Sequence, residues 1–485
     1  MFNVSAASLP ALAPEIALAV GAMLVLLLDV ATPRDQRQSL VLFSLASLAI
    51  SAYYASFLWG KSGFYFSDGI VVDSFRISID YILLLGAGLT LLMSGPYLER
   101  EGIDFGEYYT LVLFATLGMM ILVAAADLTT LFVGLETMSI SVYILAAFNR
   151  KREESNEAGL KYLLTGSFAT AFLLYGMALI YGATGETRLN GIGAFLVQNH
   201  GAGSMMMNAG VALLLVGIGF KIAMVPFHMW APDVYEGAPT TITAFMSAGV
   251  KVAAFAAMTR VFTIALAPMH SLWGPVLGWI AILTMTLGNL VAVTQSSLKR
   301  MLAYSSIAQA GYLLIGIAAG TTEATSAMVY YLTIYTVVTM GSFAALVYLG
   351  KRGEENLTLY DLAGVGYRYP ALGAALAVLM MSLSGLPPTA GFMAKFILFR
   401  SVVQAGLTPL VIVAVLNSVV SVYYYMGVVV RMFMTPAEKE LKPLPLLPTV
   451  AVVLGGSALA TLLLGIFPGW WLENATRSVM VALGR

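Results

Sequence analysis

No cysteine occurs in this chain of 485 residues. Disulfides, cysteine-ligated iron–sulfur clusters and thiolate zinc sites are therefore excluded. Histidine is nearly absent as well, and the three present (His200, His228 and His270) argue against a bis-histidine haem. Neither a G-x-G-x-x-G run nor a Walker A pattern is found, so the chain offers no obvious nucleotide site. Charge is scarce, at 10% of residues against about 25% in soluble proteins. The 25 basic residues only balance the 25 acidic ones, which leaves no basic excess for nucleic acid or an anionic membrane surface. Any energy the chain uses is expected from an ion gradient or a partner. Its start, Met1-Phe2-Asn3-Val4, lacks the basic residues that open a cleaved signal peptide, so the first apolar stretch is expected to stay as a helix.

What the chain has is apolar length. Hydrophobic residues make up 59% and mean hydropathy is +0.87. Spanning hydrocarbon takes about 20 apolar residues. On that measure helices are expected near 10–30, 38–60, 76–95, 108–126, 128–148, 158–182, 206–231, 239–266, 272–295, 299–320, 325–350, 370–404, 407–434 and 446–468. The fold class is an all-α polytopic membrane protein of about fourteen spans in a single membrane domain. The longest connection, around 183–205, is rich in Gly and Asn and reads as a surface loop.

Loop lysines and arginines orient such a chain. With the N-terminus outside, inside loops hold fourteen, among them Arg34, Arg100, Lys151, Lys299, Arg352, Arg431, Lys439 and Lys442; outside segments hold five, Lys61, Arg76, Arg188, Arg477 and Arg485. Both termini then fall on the external side. Six basic residues remain inside helices: Lys161, Lys221, Lys251, Arg260, Lys395 and Arg400. Arg260 and Arg400 lie near enough to helix ends to snorkel.

Two helices carry internal breaks. Pro226 interrupts the seventh five residues after Lys221, and Pro387 with Pro388 interrupts the twelfth just before Lys395. Proline removes a backbone donor, and unpaired backbone at membrane depth is tolerated only inside protein or beside a wet cavity. Broken helices five spans apart point to two inverted five-helix repeats, helices 4–8 and 9–13, with an ion pathway between them. The divisions are 1–107 (accessory helices), 108–266 (first repeat), 272–434 (second repeat) and 446–485 (final helix and tail).

An ionised residue at mid-membrane costs roughly 2.5–3.5 kcal/mol on insertion scales, so its place is seldom incidental. Glu136, deep in the fifth helix, reads as a carboxylate that tunes a lysine's proton affinity; the plainer alternative is a fixed ion pair. Burial pushes a lysine to lose its proton and a nearby carboxylate restores it, which suits Lys221 beside Glu136. Lys251 and Lys395 have apolar neighbours and can hold or pass a proton, or each can simply sit on a backbone carbonyl. His228 titrates near neutrality when unperturbed, or is a satisfied core histidine. Lys161 stands beside Glu157 and reads equally as an interfacial anchor. Tyr304, Ser305 and Gln309 on the tenth helix can support a water chain, or only let helices pack. No metal site is indicated.

These runs resemble one family. Leu12-Ala13-Pro14-Glu15-Ile16, the Gly134–Ile140 run with Tyr143, Phe220-Lys221 through Pro226-Phe227-His228-Met229-Trp230, Pro232–Pro239, the Lys299–Tyr312 run and Ser384–Phe392 with Lys395 look like the antiporter-like membrane subunits, in particular the subunit N family, of bacterial NADH:quinone oxidoreductase (respiratory complex I). The resemblance covers essentially the whole chain. It implies redox-driven proton translocation as part of an enzyme complex, with Glu136 and Lys221 in a first half-channel, Lys251 as connector and Lys395 ending a second. It implies a place in the bacterial inner (plasma) membrane, among membrane and hydrophilic partner subunits. NADH, FMN, the iron–sulfur clusters and quinone would belong to those partners, with no cofactor in this chain. Related chains often carry His where Gln309 stands, and Gln cannot take up a proton. A stand-alone cation/proton antiporter without a redox partner shares the Glu/Lys core, and a scaffold with frozen ion pairs is the third reading.

Overall fold

A computed structural model describes residues 6–33, 37–199, 203–353, 357–437 and 447–482. Arg34, His200, Lys439, Lys442, Arg485 and the Met1–Val4 start lie outside the described residues. The chain runs through α1 (Ala13–Ala31), α2 (Gln38–Ser56), the strands β1 (Gly63–Tyr65) and β2 (Ile70–Val72), α3 (Ser74–Glu101), α4 (Gly106–Ala124), α5 (Leu128–Ala146), α6 (Glu153–Thr184), α7 (Leu189–Gln198), α8 (Met205–Ile222), α9 (Trp230–Gly237), α10 (Thr240–Phe245) and α11 (Lys251–Arg260). It continues through α12 (His270–Val293), α13 (Leu298–Ala319), α14 (Thr322–Leu349), α15 (Val365–Arg368), α16 (Pro370–Ser384), α17 (Ala390–Gln404), α18 (Thr408–Met434), α19 (Pro448–Ile466) and α20 (Gly469–Ala482). Among the described residues thirteen helices are long and apolar enough to cross a membrane, and fourteen when the bent pair Tyr360–Arg368 and Pro370–Ser384 is counted. The protein is a multi-pass membrane protein. Its interior is the Thr240–Ala265 span with α13 and α14, while α1, α2, α6, α18 and α19 turn much of their surface outward.

Three features recur at an interval of five spans. α4 and α5 cross so closely that a Cβ on Gly118 would strike the backbone nitrogen of Met138, and one on Gly134 that of Leu122. α12 and α13 repeat this, with Gly288 against Ala308 and Gly311 against Met285. The residue capping α5, Asp127, bridges to Arg188 beyond α6; the one capping α13, Ser297, bridges to Thr358 beyond α14. The third is the break, between α8 and α9 and again between α16 and α17. Five is odd, so the second set runs in the opposite sense across the bilayer.

Several expectations need correction. The 183–205 connection is not a plain loop. Its α7 buries Leu189, Ile192, Gly193 and Leu196, at the 3, 4 and 7 spacing of one helix face, against the Val261–Ala265 turn. The tail beyond α19 forms α20, whose Ala475, Ser478 and Val479 are buried. A β1–β2 hairpin, absent from an all-α expectation, joins α2 to α3. Arg76 is no loop cation: it is 0% exposed on the first turn of α3. Arg260 does not snorkel but pairs with Asp73 at 2.8 Å inside the protein. Lys299 is buried too, and its Nζ donates to the carbonyls of Glu236 and Ala238 at the end of α9.

Candidate functional site

Three lysines lie at 1%, 1% and 5% exposure, Lys221, Lys251 and Lys395 in that order. No carboxylate stands within ion-pair distance of any of them among the described residues. Each sits at an irregularity of the backbone. At Lys395 the break itself supplies oxygens, while Lys221 and Lys251 are held by groups of neighbouring helices.

Lys221 closes α8. Ala223 takes a left-handed conformation (φ +57°) and ends the helix at Ile222, before Pro226 is reached. The amide of Val225 is received by Thr284 Oγ1 on α12 at 3.1 Å, so the break is tied to the second repeat. Trp230 Nε1 donates to the Phe220 carbonyl at 3.0 Å and its ring stacks on Tyr162 at 4.4 Å. The ammonium lies 4.9, 5.2 and 5.5 Å from the ring centres of Tyr143, Tyr162 and Phe220, and its hydrogen bond goes to Tyr143 Oη at 3.0 Å. Glu136 is half-buried on α5 and makes no direct pair with Lys221. It accepts from Thr170 Oγ1 at 2.8 Å, and Thr170 also meets the Tyr143 hydroxyl. Glu136 and Lys221, expected in one half-channel, are thus joined through Tyr143 and Thr170. Position 143 is seven residues past 136, two turns along the same face, and that spacing was the sequence signal for it.

Lys251 follows a π-helical turn, Met246–Val250, and begins α11. Such turns widen a helix locally and favour functional positions. Its Nζ donates to both the hydroxyl and the carbonyl of Ser306 on α13. Tyr335 of α14 donates to the same Ser306 hydroxyl at 2.9 Å, and Tyr235 of α9 also reaches it.

Lys395 on α17 faces the open end of α16. Helix 370–384 stops where Gly385 turns left-handed (φ +85°) ahead of Pro387 and Pro388. The freed carbonyls of Leu383 and Ser384 accept from Lys395 Nζ at 3.1 and 3.0 Å, and Ser418 Oγ accepts at 2.9 Å. Gln309 donates to the same Leu383 carbonyl at 3.1 Å and to Tyr425 Oη at 3.3 Å, while Tyr331 donates to its amide oxygen. Ser305 bonds Tyr425. A void of about 10 Å³ touches Gln309, Tyr331 and Lys395, near the lower limit for one water. Gln309 and Ser305 are therefore brought into one network with Lys395. Tyr304 is half-buried and its hydroxyl joins none of this.

His228 lies buried past the break, with Nδ1 unpartnered among the described residues, and the Lys221 ammonium bonds Tyr143 instead of it. Lys161 is half-exposed and pairs with Glu157 at 2.6 Å and Asp233 at 3.1 Å. Asp233 also takes Arg300 at 3.0 Å, and Arg300 takes Glu236 at 2.8 Å. This places Lys161 in a rim network linking α6, α9 and α13. Partial burial works to raise the Asp233 carboxyl, but the bonds from Lys161 and Arg300 prevail and hold it below the usual carboxylate range. What that carboxylate contributes is then present at neutral pH and lost only as pH falls through its depressed value. Exposed pairs are worth about 0.2–1 kcal/mol. Lys161→Ala is accordingly expected to leave assembly and proton transport within about twofold of normal, measured as proton uptake in membrane vesicles; a large loss would move Lys161 into the pathway.

Residues 125–421 match the family described as NADH:quinone oxidoreductase/Mrp antiporter, TM. The chain is similar to NADH-quinone oxidoreductase subunit N of Trichlorobacter lovleyi, 49% identical over 96% of each chain. Subunit N 1 of Herpetosiphon aurantiacus is 44% identical over 96% of this chain and 95% of its own. Among solved structures, a chain of respiratory complex I from Thermus thermophilus with bound aureothin aligns with a TM-score of 0.81 at 34% identity, covering 96% of this chain and 100% of that one. A chain of the archaeal membrane-bound sulfane sulfur reductase aligns at 0.86 with 26% identity, covering 98% of both.

Proposed function

This chain belongs to the NADH:quinone oxidoreductase/Mrp antiporter membrane family, and from that premise we propose that it is the proton-translocating subunit N of a bacterial NADH:quinone oxidoreductase. The observation that carries the reading is the set Lys221, Lys251 and Lys395, each buried at a break or π-helical turn and bonded, among the described residues, to neutral oxygens alone. An ammonium locked to a carboxylate keeps its proton; one held by hydroxyls and carbonyls in a low-dielectric interior can give it up. Glu136, reaching Lys221 through Thr170 and Tyr143, is the charge that favours loading. Lys251 with Ser306 joins the halves, and Lys395 at the second break ends the line. Ser305, Gln309, Tyr331 and Tyr425 support Lys395 by hydrogen bonds. Gln309 carries no proton itself: its amide orients Tyr331 and the Leu383 carbonyl. Pro387 and Pro388 follow the open carbonyls of Leu383 and Ser384 that Lys395 uses, and Pro226 stands in the break that follows Lys221. His228 is assigned a secondary place on the first half-channel, beyond the break.

The driving chemistry belongs to other subunits. NADH, FMN, iron–sulfur clusters and quinone sit there on this reading, and this chain binds none. The membrane is the inner (plasma) membrane, with both termini external. Residues 108–266 and 272–434 form the two repeats, 1–107 the accessory helices and 446–485 the terminal unit. A cation/proton antiporter without a redox partner is the alternative, and relatives named subunit N, 40–49% identical over nearly the full chain, favour the first.

Lys395→Met tests the proposal. Methionine fills similar space with no titratable group. In inverted vesicles with the complex assembled, NADH-driven proton uptake is expected to drop well below normal. Uptake equal to wild type would remove Lys395 from the pathway. Failure of the chain to co-purify with NADH-oxidising subunits would favour the antiporter.

A further inference from the structure

Five charged side chains are sealed together where α1, α3 and α11 meet, apart from the line of lysines. Glu15, Asp73, Arg76, Asp80 and Arg260 are all buried. Arg76 Nη2 donates to Glu15 Oε1 at 2.5 Å and to the Ala11 carbonyl at 3.0 Å, and Nη1 donates to the Val71 carbonyl at 3.0 Å. Arg260 grips both oxygens of Asp73 at 2.8 and 3.1 Å. Two guanidiniums thus face three carboxyls.

Asp80 is the odd one. It is 0% exposed, both of its oxygens lack a hydrogen-bond donor among the described residues, and its cation, Arg76 Nε, is 3.5 Å away. Glu15 Oε2 has no donor either. Glu15, Asp73 and Arg76 are the charged groups that act on Asp80. The other packed elements supply none: α2, α10 and α19 carry no charged side chain, and Glu107 of α4, Glu323 of α14 and Glu473 and Arg477 of α20 are exposed. The Tyr81 hydroxyl turns away to the Ala52 carbonyl on α2. Arg76 is shared between Asp80 and Glu15, so two guanidiniums leave one of the three buried carboxyls unneutralised, and such a carboxyl takes a proton instead of staying charged.

We propose that this enclosure is a proton-binding site: one proton is held by the Asp80 and Glu15 carboxyls beside Arg76, which makes the five-residue cluster neutral. The assignment stands whether or not the lysines carry protons. Arg260 lies nine residues after Lys251 on α11, about 13 Å along the axis, so the site adjoins the lysine line without interrupting it. The accessory helices are joined to the first repeat through a cluster whose charge is complete only with that proton.

Charge counting gives the test, made on the assembled complex. Asp80→Asn copies the protonated form, so assembly is expected within about twofold of wild type. The infrared difference spectrum of wild type minus this variant then contains a deuterium-sensitive protonated-carboxyl band. Glu15→Gln removes one negative charge, so Asp80 ionises against Arg76. That variant assembles and loses the same band. Glu15→Gln combined with Asp80→Asn leaves a net positive charge buried, and assembled protein is expected to fall at least about tenfold below either single variant. Asp80→Asn as damaging as the double variant, or no carboxyl band in its difference spectrum, would overturn the proposal and make Asp80 a plain anion paired with Arg76.

Discussion

Lys221→Ala abolishes proton uptake by an otherwise assembled complex: this is the largest functional effect expected. Lys221 is 1% exposed, and its ammonium is ringed by Tyr143, Tyr162 and Phe220 and bonds the Tyr143 hydroxyl. Losing a positioned proton carrier slows transfer by roughly 10²–10⁴-fold, and alanine supplies no substitute. Lys221→Arg separates carrier from structural cation. Arginine keeps the charge but does not release its proton, so a transporting role predicts that it fails too, whereas a structural role predicts rescue. Tyr143→Phe, which removes the hydrogen bond that the ammonium makes among the described residues, is expected to fall between. NADH-driven proton uptake in inverted vesicles, with assembly checked on the same sample, reads all three. Normal uptake by either lysine variant would contradict the assignment.

Arg260→Met is expected to cost the most stability. Both guanidinium arms of Arg260 hold Asp73, and both residues are under 5% exposed on their side chains. Removing one partner of a buried pair costs about 3–5 kcal/mol, because the other charge is stranded. That is a large part of a typical margin of about 5–15 kcal/mol. Asp73 also caps α3 by accepting from the Arg76 amide at 2.7 Å. Asp73→Asn alone keeps a capping side chain, since Asn caps as well as Asp, but strands Arg260. Combining the two changes removes both charges and is expected to restore much of the loss. Thermal stability of the purified complex measures it. Wild-type stability in Arg260→Met would mean that the arginine reaches solvent, as its position near a helix end first suggested.

The spans were legible because lipid demands long apolar runs, and each run shows in the sequence by length alone. Both broken helices were legible for a similar reason: Pro226, Pro387 and Pro388 cannot donate to a helix. The lysines announced themselves by cost, since a mid-membrane charge has few accidental explanations. Arg76, Arg260 and Lys299 were misjudged by the same logic. Each stands near a helix end, where sequence position cannot separate a side chain that escapes to water from one folded back onto a partner 60 or more residues away. The hydroxyl partners were hidden as well. In a soluble protein apolar periodicity tells inside from outside, but lipid is as apolar as the protein interior, so nothing along α13 or α14 marks Ser306, Tyr331 or Tyr335 as facing a lysine. The sequence by itself determined the membrane class, the breaks and which side chains are able to carry a proton. Only the tertiary structure decided what each is bonded to: Tyr143 and Thr170 between Glu136 and Lys221, Ser306 under Lys251, the carbonyls of Leu383 and Ser384 under Lys395, and Asp80 without a hydrogen-bond donor among the described residues. Those partners come from different helices, and their meeting depends on helix rotation and crossing distance, which close-packed glycines such as Gly118 and Gly288 set and which no local pattern encodes.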